Sequence, residues 1–290
     1  MHPEQVAIAL PVYNGDDYLR ETLLSFQKQT YPYFELIICD NASTDSTADI
    51  AIEFAETDKR FIYSQQNEHV DGLKNFNRAY RLTDGRRKYF IWACDDNIWA
   101  PSFLEKTVNY MENHSECTLC GVYLHHFRDS GEIYYRNYNH VPWYFKKFRL
   151  LQLGLERKVG YSIYGMMRRS ALDSIKFEFD CRCYIDTWIV LQLRALGTIH
   201  VIEEDLLSFR SGGLSSTKDD PYVARINDLI FSETELNILL AIKNLSLLEK
   251  MVWAQKMVYY ALRHNKPETV KRWWLFPAYF LANKYPNWKF

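Results

Sequence analysis

Through residue 113 the chain alternates short apolar runs with stretches in which apolar positions recur every three or four residues. The run Val6-Ala7-Ile8-Ala9-Leu10 predicts a first strand, closed by Pro11 and a turn at Asn14-Gly15. Leu19, Leu23 and Phe26 share one helical face, with Asp16 or Asp17 placed to cap it and Tyr31-Pro32 to stop it. Leu36-Ile37-Ile38-Cys39 predicts a second strand, and Ile50, Ala51, Phe54 and Ala55 the inward face of a second helix. Phe61-Ile62-Tyr63 predicts a third strand, 73–81 a third helix, 89–93 a fourth strand and 101–113 a fourth helix that Pro101 opens. Strands and helices alternating in this way argue for a parallel sheet covered on both faces.

Beyond residue 113 the pattern changes. A strand is predicted over 117–123, and Arg128-Asp129-Ser130-Gly131-Glu132 reads as a hairpin turn before Ile133-Tyr134-Tyr135. A helix is expected over 150–158. A clearer one spans 184–196, with Ile185, Trp188, Ile189, Leu191, Leu193 and Leu196 apolar and Gly197 at its exit. Two short strands, 198–202 and 206–209, lead into a polar loop over 210–216. From about 222 the remainder reads as helical, with a capping box at Ser246-Leu247-Leu248-Glu249 and Pro267 in the first turn of the last helix.

The fourth strand, Tyr89-Phe90-Ile91-Trp92-Ala93, shows no polar alternation and runs through Cys94 into Asp95-Asp96. Core packing explains two adjacent acids at that position poorly, and the carboxyl ends of strands are where open α/β sheets bind ligands. Such a pair can hold Mg²⁺ or Mn²⁺ together with substrate phosphates. The plainer alternative is that Asp96 or Asn97 caps the next helix. The first strand–helix turn, Pro11-Val12-Tyr13-Asn14-Gly15, lacks G-x-G-x-x-G, and G-x-x-x-x-G-K-[ST] is absent. Phosphate would therefore be held by metal and side chains, not by a glycine cradle.

With 290 residues, 48% hydrophobic and 24% charged, the chain can build one substantial core. A net charge of −1 argues against a general nucleic-acid binder. The aromatic content of 16% suits sugar-facing surfaces as well as core. No basic start followed by an apolar leader is present, and no apolar run reaches about 18 residues, so a cytoplasmic location with reduced thiols is expected. Cys117-x-x-Cys120 with Cys181-x-Cys183 departs from the usual spacing of a four-thiolate zinc site.

Four segments in order, Leu-Pro-Val-Tyr-Asn-Gly at 10–15, Cys-Asp-Asn-Ala-Ser-Thr-Asp-Ser-Thr at 39–47, Gly-Leu-Lys-Asn-Phe-Asn-Arg-Ala at 72–79 and Cys-Asp-Asp-Asn-Ile-Trp-Ala-Pro at 94–101, resemble family 2 of the inverting glycosyltransferases over about residues 4–216. The resemblance implies an α/β protein of the GT-A fold, with a mostly parallel nucleotide-binding sheet flanked by helices and a helical C-terminal extension. It implies a catalytic domain over 1–220, with a nucleotide-sugar half at 1–113 and an acceptor half at 114–220, and the extension at 221–290. It further implies a nucleotide-sugar donor, UDP-linked, a glycan or lipid-linked acceptor, and a divalent cation, Mn²⁺ or Mg²⁺.

By the same resemblance Pro11, Val12, Tyr13 and Asn14 pack on the nucleoside, and Asp40, beside Asn41, hydrogen-bonds the base. Asp96 is the metal ligand holding the diphosphate, Asp95 lies beside ribose or metal, and Lys74 counters the diphosphate charge. Many relatives carry an acid where this chain has Ala93, which lowers the charge of the site. Inverting transfer needs a base to take the acceptor's proton. Asp186 in Tyr184-Ile185-Asp186-Thr187-Trp188 is the candidate, with Asp173 and Asp180 as competitors. The loop that closes over the donor in relatives matches 209–216; lacking His, it would offer Arg210, Ser215, Ser216 or Lys218.

From Ser246 to Phe290 there are eight Lys or Arg against two Glu, interleaved with Trp and other aromatics. Such a tail suits an anionic membrane surface, the catalytic domain or a second subunit. Two rival readings remain. A sugar-phosphate nucleotidyltransferase would carry a glycine-rich basic loop after its first strand, which 11–15 lacks. A non-catalytic nucleotide- or glycan-binding module would fit the acid missing at Ala93.

Overall fold

The computed structural model describes residues 6–127, 129–130, 133–137, 159–175 and 185–210, all within one compact unit. The expected helix at 150–158, Asp180, Cys181 and Cys183, the loop beyond Arg210 and the whole C-terminal tail lie outside the described residues.

The first half follows the alternation in the sequence: β1 (Val6–Val12), α1 (Leu19–Gln27), β2 (Phe34–Asp40), α2 (Thr47–Thr57), β3 (Phe61–Gln65), α3 (Gly72–Leu82), β4 (Tyr89–Trp92) and α4 (Phe103–Asn113). A two-residue strand, β5 (Ile98–Trp99), intervenes before α4. Strands β3, β2, β1 and β4 lie side by side and all parallel. Every residue of β1, β2 and β4 is buried, as strands covered on both faces require. Val6, Ile8, Leu10 and Val12 enter a core with Leu19, Leu23, Phe26, Ile50 and Phe54 from α1 and α2. On the opposite face small Ala7 and Ala9 let α3 pack close, with Ala79 fully buried.

The second half is mixed. β6 (Cys117–Phe127), β7 (Ile133–Asn137), β8 (Met166–Arg168) and β9 (Thr198–Arg210) extend the sheet in the order β4-β8-β6-β9-β5, with β7 beside the far end of β6. β8 runs antiparallel to both β4 and β6, whereas β6 and β9 are parallel. A 3-10 turn (Val159–Tyr164) leads into β8, followed by α5 (Arg169–Ser174) and later α6 (Ile185–Leu196).

Several boundaries differ from the sequence reading, for identifiable reasons. Pro11 does not end β1. The Ala93 amide donates to the Ala9 carbonyl and the Asn41 amide to that of Val12, so alternation turns Pro11 toward the β4 side, where β4 has already ended. α1 has no side-chain cap; Asp16 instead accepts from the Ser46 amide at 3.3 Å. Pro101 lies in the turn before α4, which starts at Phe103. The two short strands expected after residue 197 are one, β9, because β6 pairs along its whole length through register shifts. Gly197 is needed for proximity: a Cβ there would lie 2.3 Å from the Glu116 carbonyl oxygen.

Candidate functional site

Because β1, β2 and β4 are parallel, their carboxyl ends open on the same edge and bring three loops together. The loops after β1 and β2 are stitched to each other. The Asn14 amide donates to Ser43 Oγ at 3.0 Å, the Thr44 amide to Asn14 Oδ1 at 2.9 Å, and the Gly15 amide to Thr47 Oγ1 at 2.8 Å. Two residues there, Asn14 (φ 48°) and Ala42 (φ 58°), adopt left-handed backbone. For alanine this costs about 1–2 kcal/mol and marks a loop shaped for something other than stability.

Asp40 closes β2 and is fully buried. Its Oδ1 accepts from the Ser43 amide (2.9 Å) and Ser43 Oγ (2.6 Å), and Oδ2 accepts from the Tyr63 hydroxyl (2.8 Å). Asn41, also buried, accepts from the Val70 amide and donates to the Val70 carbonyl, fastening the approach to α3. Asn75 and Arg78, from the segment 72–79, anchor α3 to the ends of β2 and β3: Asn75 donates to the Cys39 carbonyl and Arg78 to Ser64 Oγ. Above these loops Tyr13 and His69 are exposed, with ring centroids 4.1 Å apart. Lys74 is exposed on the first turn of α3.

The Asp95-Asp96 turn follows β4. Helix α1 and the turn that follows it hold the acidic turn with a buried polar stripe that the apolar periodicity did not reveal: Thr22 and Ser25 in the helix and Gln29 just past its end. Thr22 Oγ1 donates to the carbonyls of Asp95 and Asn97 at 2.8 Å, the Trp99 amide donates to Ser25 Oγ, and Gln29 donates to the Ala100 carbonyl. The Asp95 carboxylate lies against the backbone of Gly15, where a Cβ would come 2.4 Å from its Oδ2. Burial, with the Asp96 charge beside it, pushes Asp95 up to about 7. Burial raises Asp96 as well, against the opposing charge of Arg210. Helix capping by Asp96 or Asn97 does not occur, since α4 begins after Ser102.

β5 pairs with β9, setting Ile98 opposite Ser208, and so delivers Arg210 to the acidic turn. Arg210 is buried; its amide donates to Asn97 Oδ1 and its Nε to the Asp96 carbonyl, both at 3.3 Å. The guanidinium sits between the rings of Tyr18 and Phe127 and is ion-paired to Glu21 and Asp129.

Asp186 lies in the first turn of α6, half-buried. α6 packs on the 3-10 turn, whose last residue, Tyr164, accepts a hydrogen bond from Cys94 Sγ at 3.1 Å. Burial raises the Tyr164 phenol well above its usual range, and the hydrogen bond with Cys94 and the carboxylates of Asp96 and Asp186 add to it. Asp173 is engaged elsewhere, accepting from Arg169 Nε at 2.8 Å and from the Tyr80 hydroxyl. Tyr164 had no periodic or motif signal that marked it, and Cys94 stood only as the first residue of the segment 94–101.

Among the described residues no three His, Cys, Asp or Glu side chains gather as a protein-only metal site. Asp95 and Asp96 form no ion pair there, and both resist ionisation. Two such acids fit a divalent cation that a substrate's phosphates complete.

The model of the family described as Glycosyl transferase family 2 matches residues 7–176. The glycosyltransferase EpsH of Bacillus subtilis is 26% identical over 218 residues, 73% of this chain; the chain spans 56% of EpsH. Staphylococcus aureus TarS 1–349, solved in complex with UDP-GlcNAc, superposes with a TM-score of 0.65 at 18% identity, covering 90% of this chain and 72% of that one. The mannosyltransferase PcManGT of Pyrobaculum calidifontis, solved with GDP-Man and Mn²⁺, gives 0.54 at 15% identity, over 98% and 88%. With the acidic turn at the sheet edge and a matching model over more than half its length, the chain belongs to glycosyltransferase family 2 and has the GT-A fold.

Proposed function

We propose that the protein is an inverting glycosyltransferase that moves a sugar from a nucleoside-diphosphate donor, UDP-linked, to a hydroxyl of a glycan or lipid-linked acceptor. The observation that supports this is the Asp95-Asp96 turn at the carboxyl end of β4, together with the packing of the 3-10 turn on both β4 and α6, the helix that carries Asp186. In this reading Pro11, Val12, Tyr13 and Asn14 line the nucleoside site. Three of the roughly four lone-pair positions of Asp40 are filled by Ser43 and Tyr63, which leaves one for the N3–H of uracil. Asn41 fixes the loop around it, and Lys74 lies toward the diphosphate.

Asp96, with Asp95 beside it, would hold a Mn²⁺ or Mg²⁺ ion, which when bound supplies charge neutralisation for the departing diphosphate. Arg210 serves the donor through Asp96, whose carbonyl it holds, because its guanidinium is committed to Glu21 and Asp129. Asp186 takes the proton of the acceptor hydroxyl as its oxygen bonds the anomeric carbon and the bond from that carbon to the diphosphate breaks. Support comes from EpsH, which bears a glycosyltransferase name, and from two structural neighbours solved with nucleotide sugars, TarS with UDP-GlcNAc and the mannosyltransferase PcManGT with GDP-Man.

A panel of UDP-, GDP- and dTDP-sugars, incubated with the protein with and without Mn²⁺, tests the reading by release of free nucleotide. Release from a UDP-sugar is expected; binding without release from any donor would favour a sugar-nucleotide-binding module.

A further inference from the structure

Arg210 is a buried positive charge set beside acids that a metal cation would need. A buried guanidinium next to a carboxylate ordinarily forms a bidentate ion pair with it. Here the pairs go elsewhere. Nε donates to the Asp96 backbone carbonyl at 3.3 Å, Nη1 is paired with Asp129 and Nη2 with Glu21. Both faces are covered as well, by the rings of Tyr18 and Phe127, with centroids 4.3 and 4.6 Å away. The Tyr18 hydroxyl donates in turn to Asp129 Oδ2 at 3.2 Å, which holds that acid a second time. All three nitrogens and both faces of the guanidinium are thus occupied, and among the described residues its ion pairs are with Glu21 and Asp129 and not with Asp96.

We propose that Glu21 and Asp129 are positioning residues that reserve the acidic turn for a divalent cation: by holding the Arg210 guanidinium between them, they keep its charge off the Asp96 carboxylate. This rests on the reading above that Asp96 holds a cation. The Asp96 carboxylate branches from the same Cα as the carbonyl that Nε holds, so a released guanidinium has only to turn about its own chain to reach it. An opposite charge within about 4–6 Å changes a carboxylate's proton affinity by about 10- to 1000-fold, and it opposes a second cation in the same way. The two acids come from α1 and from the turn after β6. Their side chains are 58% and 61% exposed and that of Arg210 only 6%, so they draw the charge toward solvent and away from the turn.

Glu21→Gln, Asp129→Asn and the double variant in the full chain test this, with UDP affinity measured by calorimetry in saturating Mn²⁺ and again in EDTA. Both side chains are largely exposed, so the isosteric amides should leave the fold intact. In the wild type Mn²⁺ is expected to tighten UDP binding. Each single variant leaves Arg210 one partner and should keep that gain within about threefold. The double variant should lose at least about tenfold of it, by binding UDP more weakly in Mn²⁺ and more tightly in EDTA. A gain unchanged in the double variant would overturn the role of Glu21 and Asp129. So would a loss equal to the product of the two single effects, which removal of negative charge alone would give. UDP affinity falling equally in Mn²⁺ and in EDTA would overturn it too, because the acids would then be bracing the turn. A wild type whose UDP binding ignores Mn²⁺ would overturn the cation reading, and this role with it.

Discussion

Asp95 is ionised against resistance. Its folded-state value, about 7, lies above the ordinary 3.8, so between these values the folded chain binds a proton that the unfolded chain has released. Stability contributed by this group is therefore complete at acid pH, falls as pH rises through the window, and levels off above it. Chemical denaturation of the metal-free protein from pH 4 to 8 should show this decline, and Asp95→Asn should flatten it. Cation binding needs the ionised pair, so Mn²⁺ affinity should tighten as pH rises toward 8. Ala42 gives a second prediction. Its left-handed backbone suits glycine, so Ala42→Gly should stabilise the fold by about 1 kcal/mol in urea titrations. At this scale the sequence marked the acids and their neighbours, because carboxylates in an apolar stretch stand out. It could not show that Arg210 would be spent on Glu21 and Asp129, since those partners lie 189 and 81 positions away.

The elements that position the acids were readable to different degrees. The apolar face of α1 was legible as Leu19, Leu23 and Phe26, but the stripe Thr22, Ser25 and Gln29 that grips the acidic turn was not. Polar residues at helical spacing ordinarily signify a solvated face, and only the buried carbonyls opposite them reveal otherwise. Thr22→Val, nearly isosteric, should cost about 1–3 kcal/mol by leaving buried carbonyls unpaired, and should weaken Mn²⁺-dependent UDP binding as the turn loosens. Gly15→Ala should act on the site more than on the fold. Its Cβ would meet the Asp95 carboxylate and a Val12 methyl, the ends of side chains that can shift, so cation affinity should fall at least about tenfold, with a smaller loss of melting temperature. Gly197→Ala meets a backbone carbonyl instead, so there the melting temperature should fall while UDP affinity holds.

Across the whole molecule, the parallel half of the sheet was legible because each of its strands is followed by a helix that returns the chain to the same edge. The mixed half was not, because its pairings join distant segments: Cys117 lies opposite Thr198, and Tyr89 opposite Arg168. Neither hydrophobic period nor turn chemistry encodes such partners. The same long-range pairing sets Arg210 beside Asp96 and carries α6 toward Tyr164, so the second half aims residues at a site that the first half opens. None of the described helices is long and apolar enough to cross a membrane. Whether the basic, aromatic stretch 246–290 engages an anionic surface can be read from co-sedimentation with phosphatidylglycerol vesicles, with and without that stretch: binding lost on its deletion assigns it to the surface, and equal behaviour dismisses that role. The proposed role of Asp186, as the base of a site whose donor is held at Asp96, is decided by measuring UDP affinity and UDP-sugar turnover together in Asp186→Asn. Affinity within about twofold of wild type is expected, with turnover lower by about 10²- to 10⁴-fold; turnover retained, or affinity and turnover lost together, would rule that role out.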